Sequence, residues 1–159
     1  MKIAVVGIGQ SLRGDDAVGP EAVRLWQEKY PETANLPGMH VDVREIPGLA
    51  LLDLIDGSEA VILVDAVKSS AIPGTLHQLS VEQLSSFTTG SKSAHGWGVA
   101  ESLHLDRILN PSKQNIPICL IGIEAEQLQI GSGLSATVTQ ILPKVCEAIQ
   151  EEVHKLLTR

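Results

Sequence analysis

Three side chains of this 159-residue chain have the chemistry of metal ligands: Asp16, Asp65 and His95. Asp16 stands at the start of a predicted helix, Asp65 closes the apolar run 60–64, and His95 lies in a glycine-flanked loop that leads into a helix. An acidic group at the end of a buried strand is costly unless it is paired or bound to a metal. Two carboxylates and an imidazole, with room for further ligands, form an open site for a borderline divalent ion such as nickel or zinc.

Each of these residues also has an ordinary structural role open to it. Asp15 and Asp16 stand where a helix N-terminus is expected, and carboxylates cap helices there; for Asp15 we favour that role. Asp65 could bond the backbone of a loop, and a lone loop histidine such as His95 is commonly a solvated surface residue. The metal interpretation therefore depends on the three side chains converging at one place.

The glycine-rich segment GIGQSLRGDDAVG (7–19) resembles a nucleotide-binding loop only in part. Leu12 stands where a dinucleotide-binding loop needs its third glycine. Two of the glycines have P-loop spacing, but Asp15 and Asp16 then occupy the positions of the lysine and the hydroxyl residue. Because two carboxylates would repel phosphates, the segment disfavours a nucleotide ligand.

Apolar runs alternate with helical patterns along the chain, which indicates an α/β fold with a largely parallel sheet. We therefore predict one domain, residues 1–159, built as a three-layer α/β/α sandwich around a mostly parallel sheet of roughly five strands. Ligands of such sheets bind beyond the carboxyl ends of the strands, where the strand order reverses. The predicted strands are 3–6, 40–45, 60–64, 76–79 and 116–123. The predicted helices are 15–29, 48–56, 98–109 and a last helix that Ser135 caps and that Pro143 kinks or delays. Residues 87–96 are predicted as an exposed polar loop.

Composition excludes several classes of function. Lys and Arg total 12 and Asp and Glu total 19, which gives a net charge of −7 and disfavours nucleic acids and anionic membranes as partners. No apolar run approaches the roughly 20 residues that span a bilayer. The first residues are typical of a strand rather than a signal peptide, so we expect a cytoplasmic protein. Separately, we expect a monomer.

Four blocks of the chain, in order, resemble the hydrogenase maturation endopeptidase family. Segment 7–19 is similar to the family's opening signature, G-x-G-N-x-x-x-x-D-[ED]-x-x-G. The other blocks are VDA (64–66) followed by PGT (73–75), His95 in its loop before a helix, and IGIE (121–124) followed by GLS (133–135).

The resemblance implies an endopeptidase that removes the C-terminal extension of a nickel–iron hydrogenase large-subunit precursor after nickel insertion, with the precursor's nickel as the recognition signal. It assigns both metal binding and catalysis to Asp16, Asp65 and His95, with zinc or cadmium as substitutes for nickel. Asp16 departs from the glutamate that the family often carries. Residues 44–48, REIPG, stand where many members have Asp-Gly-Gly-Thr, which leaves the class of hydrogenase open.

Other interpretations remain at this point. One is a metal-binding chaperone that docks the same precursor without cutting it, one is a flavin or nucleotide binder, and one is a peptidase of the spore germination type. No Ser–His–Asp arrangement or catalytic cysteine is evident, which disfavours a covalent mechanism.

Overall fold

A six-stranded sheet forms the centre of the computed structural model, which describes residues 1–45, 49–88, 92–93, 99–110 and 116–159. The strands are β1 Ile3–Ile8, β2 Met39–Arg44, β3 Ala60–Lys68, β4 Leu76–Ser80, β5 Lys92–Ser93 and β6 Ile118–Glu124. Five of them lie in the order β2-β1-β3-β6-β4, and β5 pairs with the end of β3. The β1, β2, β3 and β6 strands are mutually parallel, whereas β4 and β5 are antiparallel to their partners.

Helices cover both faces of the sheet. They are a 3₁₀ turn at Gly14–Ala17, α1 Val18–Lys29, α2 Pro31–Ala34, α3 Ala50–Ile55, α4 Val81–Thr88, α5 Val99–Leu109 and α6 Ala136–Leu157. The first and last long helices, α1 and α6, pack on one face, and α3, α4 and α5 pack on the other. The described chain thus has the predicted three layers.

The central strands are apolar on both sides because both of their faces are covered. In β3, Ile62 and Val64 belong to the α1–α6 core, whereas Val61 and Leu63 belong to the opposite core. All four are almost fully buried. This explains why the strand is a continuous apolar run rather than an alternating one.

The structure differs from the sequence prediction in three places. The β3 strand does not end at Asp65 but continues to Lys68, because β6 and β5 both pair with its last residues. Helix α4 was not predicted, since among its described side chains, those of residues 81–84, the buried apolar ones are Val81 and Leu84, and its end overlaps the loop expected at 87–96. The last helix begins seven residues before Pro143, so this proline does not delay it.

Other predicted features are present. Helix α6 is capped as expected, because the Ser135 hydroxyl accepts a hydrogen bond from the Val138 amide at 3.2 Å. The predicted strand 76–79 is an edge strand of the sheet. Among the described helices, none is both long and apolar enough to span a membrane.

Candidate active site at the carboxyl edge of the sheet

The strand order reverses between β1 and β3, which is the point where a doubly wound sheet forms a crevice at the carboxyl ends of its strands. From β1 the chain crosses to β2 on one side, and later returns to β3 on the other. A crevice of this kind is where doubly wound sheets bind their ligands. Asp16 follows β1 and Asp65 lies on β3, so both belong to this edge.

The glycines of the first loop bring the backbone of Asp16 back against the end of β1. A Cβ atom on Gly7 would lie 2.7 Å from the carbonyl oxygen of Gly19, where α1 crosses the strand. Gly9 has a φ of +146°, and a side chain there would collide with the carbonyl of Asp16. The Gln10 amide donates a hydrogen bond to Asp16 Oδ2 at 2.8 Å. The loop is therefore built to hold one carboxylate rather than a phosphate.

Asp65 lies on β3 just beyond the last residue that pairs with β1. Val64 pairs with Gly7 of β1, and Asp65 itself is matched with Gly122 of β6. Its side chain is buried, with 5% exposure, and its Oδ1 atom has no hydrogen-bond partner within the described chain. An acceptor buried in this way costs free energy, which is typical of a group that awaits a ligand.

The two carboxylates interact electrostatically. Burial raises the pKa of Asp65 well above its usual value, the nearby charge of Asp16 raises it further, and a hydrogen bond from the Ala66 backbone opposes both. The structure thus brings together two of the three predicted ligands. A cation placed between them would relieve both the repulsion and the cost of burial.

His95, the third predicted ligand, lies outside the described residues. Ser93, two positions before it in the sequence, pairs with Val67, which is two positions after Asp65. Within the described residues, no group of three or more His, Cys, Asp or Glu side chains is arranged to hold a metal ion. The assignment of His95 stays a prediction.

Asp15 has a different role from its neighbour, and it does not cap its own helix as we expected. Its buried carboxylate accepts hydrogen bonds from three backbone amides of the β6–α6 loop: Glu126 at 2.9 Å, Gln127 at 3.1 Å and Ser135 at 2.6 Å. The side chain therefore fixes a loop that lies more than a hundred residues away in the sequence. The two adjacent aspartates thus have different surroundings: Asp15 binds the backbone of the β6–α6 loop, whereas Asp16 interacts electrostatically with Asp65.

Glu124, at the end of β6, is a buried acidic residue that the sequence analysis did not assign to the site. It accepts hydrogen bonds from the Ser69 amide at 2.6 Å and the Ser69 hydroxyl at 2.8 Å, and lies 3.3 Å from His77 Nε2. Both of its oxygens have partners, so it anchors the β3–β4 loop rather than offering free ligand atoms. The sequence feature that could have identified Glu124 is the same one that identified Asp65: an acidic residue at the end of an apolar strand.

Neither cysteine of the chain has the chemistry of a nucleophile. Burial raises the pKa of Cys119 to about 11 and also raises that of Cys146. A catalytic cysteine instead has a lowered pKa in an electropositive setting. A thiolate mechanism is therefore disfavoured.

Comparison with known proteins agrees with the architecture and with the sequence resemblance. The model of the HycI family, hydrogenase maturation protease, matches residues 47–152. A hydrogenase 2 maturation protease of Escherichia coli is 28% identical over 152 residues, which cover 94% of this chain and 88% of that protein. The hydrogenase expression/formation protein HupD of Rhodobacter capsulatus is 30% identical over 155 residues, covering 94% of this chain and 70% of that protein.

A solved structure shares both the fold and the family. The hydrogenase-maturating endopeptidase HybD from E. coli superposes with a TM-score of 0.81 at 26% identity, covering 98% of this chain and 93% of that one. The family predicted from the four sequence blocks is confirmed, and its members' names support a hydrolase. This chain belongs to the hydrogenase maturation protease family.

Proposed function

We propose that this protein is the endopeptidase that removes the C-terminal extension of a nickel–iron hydrogenase large-subunit precursor after nickel insertion. The observation that carries the proposal is the pair of buried carboxylates, Asp16 and Asp65, in the crevice between β1 and β3. Membership of the maturation protease family supports the substrate class and the reaction.

The proposed recognition element of the substrate is its nickel ion. Asp65 offers a buried oxygen that has no donor among the described residues, and the charge of Asp16 lies close by. Such a pair is unfavourable when empty and favourable around a divalent ion. We assign His95 as the third ligand, because Ser93, two positions before it in the sequence, pairs with Val67, two positions after Asp65.

The contribution of these residues to cleavage is positioning. By holding the precursor's nickel at the sheet edge, Asp16, Asp65 and His95 would hold the scissile bond beside it, which turns recognition into orientation worth several kcal/mol of barrier. The ion supplies Lewis-acid chemistry there. The chain itself needs no covalent nucleophile for this mechanism.

Cleavage of purified precursor, followed as a loss of mass, tests the proposal. We expect Asp65→Asn and His95→Ala to reduce the rate by at least about a hundredfold with nickel-loaded precursor, because a lost ligand misplaces the scissile bond. We expect nickel-free precursor to stay uncut by the wild-type chain.

Asp106→Asn is the matched control, since Asp106 is another buried aspartate but lies on α5, away from the crevice. It should cut at close to the wild-type rate. Wild-type rates in both ligand variants would remove the proposed site. Binding of the precursor by the wild-type chain without any change in mass would instead identify a chaperone.

A further inference from the structure

Two large aliphatic side chains stand exposed on neighbouring loops at the carboxyl edge of the sheet. Leu12, in the loop after β1, is 74% exposed, and Ile130, in the loop after β6, is 84% exposed. The two loops are bonded to each other, because the Gly131 amide donates to the Leu12 carbonyl at 2.8 Å and the Gly14 amide donates to the Ser132 carbonyl at 3.1 Å. We call Leu12 and Ile130 on these bonded loops the apolar platform.

Hydrogen bonds of Asp15 and Gln127 hold the loops of the apolar platform in a fixed conformation. The buried carboxylate of Asp15 binds the start and the end of the β6–α6 loop. Within that loop, the Gln127 side chain accepts from the Gln129 amide at 2.8 Å and donates to the Gly133 carbonyl at 3.0 Å. Because the loops are ordered before any partner arrives, aliphatic side chains on them can bind without a large entropy cost. Exposed side chains held in this way add little to the core and are suited to an interface.

Acidic side chains near the apolar platform determine which kind of partner can bind there. Asp16 follows Leu12 by four residues, Asp65 lies beside Asp16, and Glu126 is exposed in the loop of Ile130. A second copy of this chain, with its net charge of −7, would bring like charge to this edge. A partner that carries a divalent cation next to an apolar patch is complementary to the acidic side chains through its cation and to the apolar platform through its patch.

We propose that Leu12 and Ile130 form a docking surface for the folded hydrogenase large-subunit precursor, which lays an apolar patch on the platform while its bound cation meets Asp16 and Asp65. This inference rests on the proposed function for the identity of the partner. The inference adds that the precursor is recognised by a protein surface as well as by the three metal ligands.

The test measures the affinity of the nickel-loaded precursor for the chain by interferometry. Contact times are kept short so that binding is measured separately from cleavage. We expect Leu12→Ser and Ile130→Ser each to raise Kd roughly tenfold, and the double variant to raise it roughly a hundredfold, as truncation of a central aliphatic anchor does. Both side chains are exposed, so the variants should keep the wild-type melting temperature. The matched control is Ile108→Ser on α5, where an aliphatic side chain is 61% exposed, and its Kd should equal that of the wild type.

The possible results separate this inference from the proposed function. If the double variant binds the precursor as tightly as the wild type does, or if the wild type does not bind it, the docking surface is overturned. Loss of a wild-type dimer in the double variant, with precursor binding intact, would assign the platform to self-association and also overturn it. If binding depends on the platform but the wild type leaves the precursor uncut, the docking surface stands and the proposed endopeptidase fails.

Discussion

At the scale of single residues, Asp65 shows how the site departs from what stability alone would select. A buried carboxylate that has one oxygen unbonded within the described part of the chain, and a second carboxylate nearby, lowers the stability of the empty fold. An amide or apolar side chain would fill the same place at less cost. The residue is therefore best understood through the cation that it is proposed to meet.

The pH dependence of folding should reveal this cost in the metal-free protein. Because the pKa of Asp65 is raised on folding, the native chain holds a proton that the unfolded chain has lost, from about pH 4 up to the folded pKa. Across that window stability falls as the pH rises, by about 1.4 kcal/mol for each unit of difference between the two pKa values. We expect Asp65→Asn to be more stable than the wild type at pH 7, and the difference to shrink towards pH 4.

Urea unfolding at a series of pH values measures this effect. Asp16→Asn serves as the second variant: it removes one cause of the raised pKa of Asp65, so its stability should stop falling at a lower pH than the stability of the wild type does. An Asp65→Asn protein that is less stable than the wild type at every pH would show that this carboxylate is a structural group.

The chemistry of single residues was predictable where it depended on residue type and local sequence. Asp16 and Asp65 could be selected because each follows a strand signal, and the structure places them together. The bonds of Asp15 and Glu124 could not be predicted, because their partners are distant in sequence: Asp15 binds Ser135, and Glu124 binds Ser69. No local pattern encodes such pairs.

At the scale of elements, Asp15 links the first loop to the loop before α6. Three backbone amides depend on one buried carboxylate, and amides left without it would be desolvated and unbonded. The same connection fixes the platform and the backbone that carries Asp16. The geometry of the crevice thus depends on a contact between two ends of the chain.

We expect Asp15→Ala to destabilise the protein by about 3–5 kcal/mol, since hydrogen bonds to a charged group contribute about 1.5–3 kcal/mol each and are not additive. Amide hydrogen exchange should accelerate at Glu126, Gln127 and Ser135. Glu126→Ala, which removes an exposed side chain from the same loop, should change stability by less than about 0.5 kcal/mol. Unchanged exchange at these amides in Asp15→Ala would show that the loop is held by other contacts.

Elements with a strong apolar period were predictable, and short polar ones were not. Helix α6 has apolar residues at helical spacing over its whole length, whereas α4 buries only Val81 and Leu84 among the side chains described there. The extension of β3 past Asp65 depends on pairing with β5 and β6, which only tertiary structure supplies. Element ends are therefore decided by neighbours more than by the local sequence.

At the scale of the whole molecule, the sheet topology places the site. The alternation of strands and helices was enough to predict a three-layer sandwich, because a parallel sheet needs helices on both faces. The order β2-β1-β3-β6-β4 and the antiparallel β4 were not predictable, since strand order depends on contacts between distant segments. That order places the carboxyl ends of β1 and β3 side by side, which explains why Asp16 and Asp65 lie close together although they are distant in the sequence.

The most direct test of the central claim is anomalous diffraction from crystals of the protein grown with zinc, which stands in for the nickel of the precursor. We predict one peak in the crevice, with a carboxylate oxygen of Asp16, a carboxylate oxygen of Asp65 and an imidazole nitrogen of His95 each at about 2.0–2.2 Å. A crystal without a peak there, or a zinc ion bound by other side chains, would contradict the account.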